Sequence, residues 1–144
     1  MTAFIITGHG QFADGLYSAL EIIGGSPKNV HVVNFLAGDT PEALSEKLAK
    51  IVKLYDNSNV VIFCDIIGGA PFRQAALLAQ HWENSDVVYG TTLQMLVEGV
   101  LERERIDSAR DLVAQLLPSA REGIGSLSSY AKRTPPSTQT EEGL

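Results

Sequence analysis

The feature that most constrains this chain is a fourfold alternation between short apolar runs and segments with helical spacing. The apolar runs, which we interpret as strands, cover residues 2–7, 30–35, 59–65 and 86–89. Each is followed by a segment whose apolar residues recur every three or four positions, as in an amphipathic helix. Such an alternation predicts one open parallel sheet with helices on both faces and right-handed crossovers.

Helix boundaries are marked by capping and stop signals. Gly24 and Gly25 end the first predicted helix, and Thr40 is placed to cap the second with Pro41 at its first position. Pro71 is similarly placed to open the third. The predicted helices cover 11–24, 41–55, 71 to about 82, 92–103 and 108–130.

Composition limits the classes of protein that this chain can represent. Its 144 residues suit one domain with a hydrophobic core, and its net charge of −6 argues against nucleic acid as the main partner. No apolar stretch approaches the roughly 20 residues that span a bilayer, and we expect no signal peptide and no membrane insertion. The single cysteine fits a reducing cytoplasm. We expect a domain over residues 1–130 and a flexible polar tail over 131–144.

Three chemically suggestive features fall at the ends of predicted strands. His9 stands between two glycines after the first strand, and Asp65 closes the third. A glycine turn over residues 68–72 then leads into the next helix. In open α/β sheets, sites form beyond the carboxyl ends of the strands. If strands one and three are neighbours, the carboxylate of Asp65 fixes the imidazole tautomer of His9 and leaves its other nitrogen free to attack.

The glycine turn and helix start make a candidate anion site. Backbone N–H groups of Gly69, Ala70 and Phe72 are available there, whereas Pro71 has none. Arg73 can add a charge-assisted contact. A nucleophilic histidine, an orienting acid and an anion cradle indicate phosphoryl transfer through phosphohistidine. The same parts also fit a pocket that binds an anion without a covalent step.

Each of these features also has a structural explanation. A histidine between glycines is compatible with a plain turn, and Asp65 with a loop cap. A glycine turn before a helix is also an ordinary connector. Their coincidence at one sheet edge favours the site. We assign His31 and His81 structural roles, find no metal-ligand spacing, and find no nucleotide-binding motif.

The loops that flank His9 carry apolar side chains without core periodicity. Phe12, Ile66 and Ile67 are the candidates to face a protein partner, because exposed apolar patches usually mark partner sites. The alternative is that these side chains fold inward. The acidic net charge further predicts partners with basic faces and transfer that slows as salt rises.

Three motifs in order identify a resemblance. The stretches TGHGQFADG, VVIFCDIIGGAPFRQA and VVYGTTLQMLVEGVLER resemble the IIA component of the bacterial sugar phosphotransferase system, mannose/fructose/sorbose family. The resemblance covers about residues 2–130, and the ending is most similar to the N-acetylgalactosamine/galactosamine branch. Among alternatives, the phosphocarrier subunit of a phosphotransferase-dependent dihydroxyacetone kinase, a phosphorylation-state sensor and a non-covalent ligand-binding α/β module stay open.

The resemblance implies a cytoplasmic phosphotransferase without metal or organic cofactor. It implies that His9 accepts a phosphoryl group at Nε2 from phospho-HPr and passes it to a IIB component, upstream of membrane IIC and IID components. It gives Asp65 the role of partner acid. Ala70 departs from relatives that carry Ser or Thr there, so backbone N–H groups or Arg73 must do more. We therefore expect four parallel strands in the order 2-1-3-4, with an antiparallel edge strand exchanged in a homodimer.

Overall fold

A computed structural model describes residues 1–133. Its strands are β1 (Ala3–His9), β2 (Val30–Phe35), β3 (Val60–Cys64) and β4 (Asp86–Val88). Its helices are α1 (Phe12–Gly24), α2 (Pro41–Lys53), α3 (Ala70–Ala79), α4 (Leu93–Glu102), α5 (Ala109–Glu122) and α6 (Leu127–Arg133). All pairings between these strands are parallel and the order is β2-β1-β3-β4, which confirms the predicted parallel sheet and strand order.

The sheet is covered on both faces because its central strands carry apolar side chains that point to both. In β1, Phe4 and Ile6 face the layer that contains α1, α4 and α5. Ala3 and Ile5 face the opposite layer, formed by α2 and α3. All five residues of β3 are buried, as expected for a central strand enclosed between two helical layers.

Side-chain caps fix where three of the helices begin. The hydroxyl of Thr40 accepts a hydrogen bond from the N–H of Ala43 at 3.1 Å, and Pro41 follows, as predicted. Thr92 caps α4 and Ser108 caps α5 in the same way. Each of these three helices begins within one residue of the start that the sequence predicts.

Several predicted boundaries differ from the structure. The helix predicted over 108–130 is two helices, because the chain turns through 123–126 and the Ser126 hydroxyl caps α6. α3 ends at Ala79, three residues early, and β4 ends at Val88. β1 extends through His9, because its pairing with β2 continues to Phe35. His9 is thus the last residue of a strand, not part of the following turn.

The predicted tail over 131–144 falls mainly outside the described residues. Residues 131–133 are the last three of α6.

Candidate functional site

His9 and Asp65 meet at the carboxyl edge of the sheet. β1 and β3 are neighbours, so His9 at the end of one strand and Asp65 after the other are adjacent, as the sequence predicts. The His9 side chain is 44% exposed, whereas that of Asp65 is 12% exposed. The site therefore consists of a solvent-accessible imidazole next to a mostly buried carboxylate.

One carboxylate oxygen holds His9 at two atoms. Oδ2 of Asp65 accepts the backbone N–H of His9 and lies against the ring Nδ1, each at 2.8 Å. Oδ1 accepts the N–H of Ile66 at 2.8 Å. An ionised carboxylate only accepts hydrogen bonds, so the neutral ring must carry its proton on Nδ1. The lone pair of His9 is then on Nε2.

The surroundings of Asp65 favour its charged form. Burial alone would raise the pKa of this carboxyl. The hydrogen bonds from the His9 backbone, the His9 ring and the Ile66 backbone outweigh burial, and the pKa lies below its ordinary value. Asp65 is therefore an anion at neutral pH and can stabilise positive charge on the imidazole.

Nε2 of His9 faces the start of α3. A Cβ atom added at Gly69 would lie 2.7 Å from Nε2, so only a residue without a side chain fits there. Gly69 also has φ of +94°, which disfavours other residues. The N–H of Arg73 donates to the Gly69 carbonyl at 3.2 Å and begins the helical hydrogen-bond pattern. The free nucleophilic nitrogen therefore lies against the positive end of a ten-residue helix.

The structure separates the other predicted anion contacts. Ala70 is buried, Phe72 is half-buried and the Arg73 side chain is exposed. Within residues 1–133 no hydrogen bond joins these three residues to His9. The N–H groups of Ala70 and Phe72 belong to the first turn of α3, where N–H groups lack intrahelical acceptors. Of the predicted cradle, Gly69 is the residue whose backbone lies next to the His9 ring.

Two of the three predicted partner-facing residues are open to solvent. Ile66 and Ile67 are each 59% exposed beside Asp65. Phe12 is half-buried and packs against the core layer beneath α1. Phe72 is also half-buried, with its ring edge-on to Tyr89 at 5.5 Å between centroids. Tyr89 is itself half-exposed.

Sequence reasoning missed three supports of the site. The Phe35 ring lies 6.1 Å from the His9 ring and nearly perpendicular to it. Gly90 donates its N–H to the Asp65 carbonyl at 2.7 Å, and the Thr91 hydroxyl donates to the Cys64 carbonyl at 2.7 Å. The strand register that brings these residues together cannot be read from a short stretch of sequence, although Gly90 and Thr91 belong to the third motif of the resemblance.

The remaining candidate groups lie elsewhere. His31 is hydrogen-bonded to the Tyr55 hydroxyl at 2.6 Å, and His81 is exposed in the turn after α3, not within a helix as predicted. Burial, with the nearby Asp65 charge, raises the pKa of the Cys64 thiol to about 12. Among the described residues no group of three His, Cys, Asp or Glu side chains could hold a metal ion. None of the helices in this part of the chain has the length and apolar character needed to cross a membrane.

Comparison with known proteins assigns this arrangement to one family. The family model EIIA-man, described as PTS system fructose IIA component, matches residues 3–117. The mannose-specific EIIAB component of Escherichia coli K12 is 34% identical over 129 residues, which cover 88% of this chain. The chain spans only 40% of the length of that relative.

Two other relatives match along nearly their whole length. The fructose-specific EIIA component of Bacillus subtilis is 28% identical over 140 residues, covering 96% of this chain and 95% of that protein. The crystal structure of a phosphotransferase system EIIA component from Streptococcus agalactiae superposes with a TM-score of 0.84 at 34% identity. That superposition covers 90% of this chain and 99% of the other.

Proposed function

The chain belongs to the EIIA-man family of phosphotransferase-system IIA components, and we propose that it carries a phosphoryl group on Nε2 of His9. The donor is phospho-HPr and the acceptor is a IIB component. The observation that carries this proposal is the pair of contacts made by one imidazole. Nδ1 is bonded to Asp65 at 2.8 Å, and Nε2 lies over the start of α3.

The transfer step follows from these contacts. The Nε2 lone pair of His9 attacks phosphorus in line as the bond from phosphorus to the donor histidine breaks. The His9 ring becomes positively charged, with its proton still on Nδ1 and hydrogen-bonded to Asp65. The carboxylate stabilises this charge, and the fixed ring removes the entropy of alignment. No proton needs to leave the site, so the reverse step to IIB uses the same geometry.

The phosphoryl oxygens are proposed to bind at the α3 N-terminus. In this proposal they accept hydrogen bonds from the N–H groups of Gly69, Ala70 and Phe72. The exposed Arg73 side chain adds a charge-assisted contact. Ala70 offers no hydroxyl, which leaves this binding to backbone groups and the guanidinium.

Ile66 and Ile67 are proposed to contact HPr and IIB in turn, with Phe12 at the margin. Their exposure beside the reacting histidine supports this docking face. A carrier must release each partner, so the contact should be small. In this proposal residues 1–130 form the cytoplasmic phosphocarrier domain and 131–144 its tail, upstream of membrane IIC and IID components.

We also propose that the chain is a homodimer. β4 has three residues and is an edge strand, so its outer backbone groups have no strand beside them within residues 1–133. A groove of about 190 Å³, lined by residues that include Tyr89, Met95, Leu117 and Ile124, runs next to this edge. An antiparallel strand exchanged from a second copy of the chain would cover both the open edge of β4 and this groove. Light scattering at micromolar concentration should give twice the chain mass, and a mass near one chain would refute the dimer.

For the sugar, we propose N-acetylgalactosamine or galactosamine. Several of the matching relatives carry the names mannose, fructose and sorbose, so this choice rests on the ending of the chain alone. Transfer from the phosphorylated chain to IIB components of each system distinguishes the sugars. Faster transfer to a mannose IIB than to an N-acetylgalactosamine IIB would overturn the proposal.

The test of the phosphocarrier function is labelling with enzyme I, HPr and radioactive phosphoenolpyruvate. Wild type should acquire acid-labile, base-stable label, and His9→Ala should acquire none. His81→Ala removes an exposed histidine away from the site and is the matched control, which should label like wild type. Undiminished labelling of His9→Ala would exclude His9. Discharge of the label by a dihydroxyacetone kinase subunit, but not by any IIB, would point to that second carrier role.

A further variant tests the partner acid. Asp65→Asn should keep the fold but slow label transfer at least about 10-fold, because the imidazolium loses its counter-charge. A transfer rate equal to that of wild type would remove Asp65 from the mechanism.

A further inference from the structure

The edge of the His9 ring is not held by hydrogen bonds alone. Phe35, the last residue of β2, is the register partner of His9 on β1. Its ring centroid is 6.1 Å from that of His9, with an interplanar angle of 80°. This is the edge-to-face geometry that aromatic pairs favour.

Phe35 is itself fixed from two directions. Its carbonyl accepts the N–H of Gly10 at 2.8 Å, which ties it to the residue directly after His9. Its half-buried ring packs against the core layer beneath α2 and α3. Phe35 can therefore act as a rigid packing surface next to the imidazole.

A packing contact on the His9 ring is needed because the hydrogen bond to Asp65 constrains only one ring atom, Nδ1. The His9 side chain is 44% exposed, and an exposed imidazole can leave its hydrogen-bonded rotamer for water. Asp65 holds Nδ1 and the backbone of Gly69 lies next to Nε2. Phe35 provides a third contact, without which the ring could turn away from both.

We propose that Phe35 is a positioning residue for His9. Its ring keeps the imidazole in the orientation that holds Nδ1 on Asp65 and aims Nε2 at the start of α3. The consequence for transfer rests on the proposed phosphocarrier function, whereas the consequence for ring orientation does not.

The test compares three variants. Phe35→Leu removes the aromatic ring and keeps much of its bulk, whereas Phe35→Tyr retains the ring. Val33→Ala is the matched control, because Val33 lies on the same strand and in the same core layer but is the register partner of Thr7, not of His9. Thermal unfolding confirms that each variant is folded.

Two readouts are measured. Long-range ¹H–¹⁵N spectra of the His9 ring should show the Nδ1–H tautomer in wild type, Val33→Ala and Phe35→Tyr. In Phe35→Leu the two nitrogen shifts should move toward each other. The kcat for transfer from phospho-HPr should fall about 10-fold in Phe35→Leu with KM unchanged, and Phe35→Tyr should restore it.

Other results would overturn the proposal. A raised KM with unchanged kcat in Phe35→Leu would make Phe35 a contact for the partner. A His9 ring spectrum identical to wild type in Phe35→Leu would show that the ring needs no such support. If phospho-HPr does not label wild type at all, the phosphocarrier function fails, and the ring spectra alone decide the role of Phe35.

Discussion

At the scale of single residues, Gly69 constrains the site as strongly as His9 does. Its φ of +94° and the 2.7 Å distance from an added Cβ to Nε2 leave room only for glycine. Gly69→Ala should therefore displace the imidazole and lower the transfer rate about 100-fold. Gly68→Ala is the control, because an added Cβ there meets nothing within 4 Å. Equal rates of labelling for the two variants would contradict this role of Gly69.

Asp65 also makes the stability of the fold depend on pH. Its pKa is lowered in the folded protein, so the unfolded chain takes up this proton first as the pH falls. The contribution of the carboxylate is complete above the ordinary pKa of 3.8 and is lost as the pH falls through the lowered value. Urea unfolding should show wild type more stable than Asp65→Asn at pH 7, with the gap narrowing toward pH 3. A gap that does not change with pH would contradict this linkage.

The sequence predicts the central pair of the site but not its supports. Local sequence patterns are enough to place a histidine and an acid at the ends of two strands. The two side chains then meet because the carboxyl ends of parallel strands lie at the same edge of the sheet. The contacts of Phe35 and Thr91 depend on strand register and on the path of a loop. Register is set by tertiary packing, so no short stretch of sequence carries it.

At the scale of elements, apolar periodicity and caps predict most boundaries. Thr40 with Pro41 is a local signal and is confirmed to the residue. The sequence pattern does not reveal the break between α5 and α6, because residues 108–130 keep apolar spacing across Gly123 and Gly125. These two glycines are typical of a helix end. However, Gly99 lies inside α4, so the presence of a glycine alone does not predict where a helix ends.

The connection between β4 and α4 holds the Asp65 loop in place. Thr91 is buried, and its hydroxyl donates to the Cys64 carbonyl at 2.7 Å. Thr91→Val should lower the free energy of unfolding by about 1 kcal/mol, because this hydrogen bond is lost in a buried setting. Thr91→Ser keeps the hydroxyl and should retain most of the bond. Urea denaturation measures both, and a Val variant as stable as wild type would show the bond to be dispensable.

At the scale of the whole molecule, a buried arginine joins segments at the sheet edge opposite the site. The Arg103 guanidinium donates to the carbonyls of Thr2, Lys28 and Asn29 and lies 4.8 Å from the centre of the Phe4 ring. Burial lowers its pKa. Nothing in the sequence pattern indicates this role, because an arginine late in a helix ordinarily points to solvent.

Replacing Arg103 should therefore destabilise the fold without touching the chemistry. Arg103→Met removes the guanidinium donor from these three carbonyls, of which that of Asn29 still accepts the Phe4 N–H, and should lower the unfolding free energy by about 3 kcal/mol. Arg105→Met removes an exposed arginine paired with Glu102 and should cost less than about 1 kcal/mol. Urea unfolding compares the two variants. Equal unfolding free energies for the two variants would show that the hydrogen bonds of Arg103 do not stabilise the fold.

The central claim is that Nε2 of His9 receives the phosphoryl group while Nδ1 keeps its proton on Asp65. The most direct measurement is NMR of the chain with ¹⁵N-labelled histidines after phosphorylation by phospho-HPr. The account predicts ³¹P–¹⁵N coupling at Nε2 of His9, with a protonated Nδ1. Coupling at Nδ1, or phosphorylation of any other residue, would contradict it.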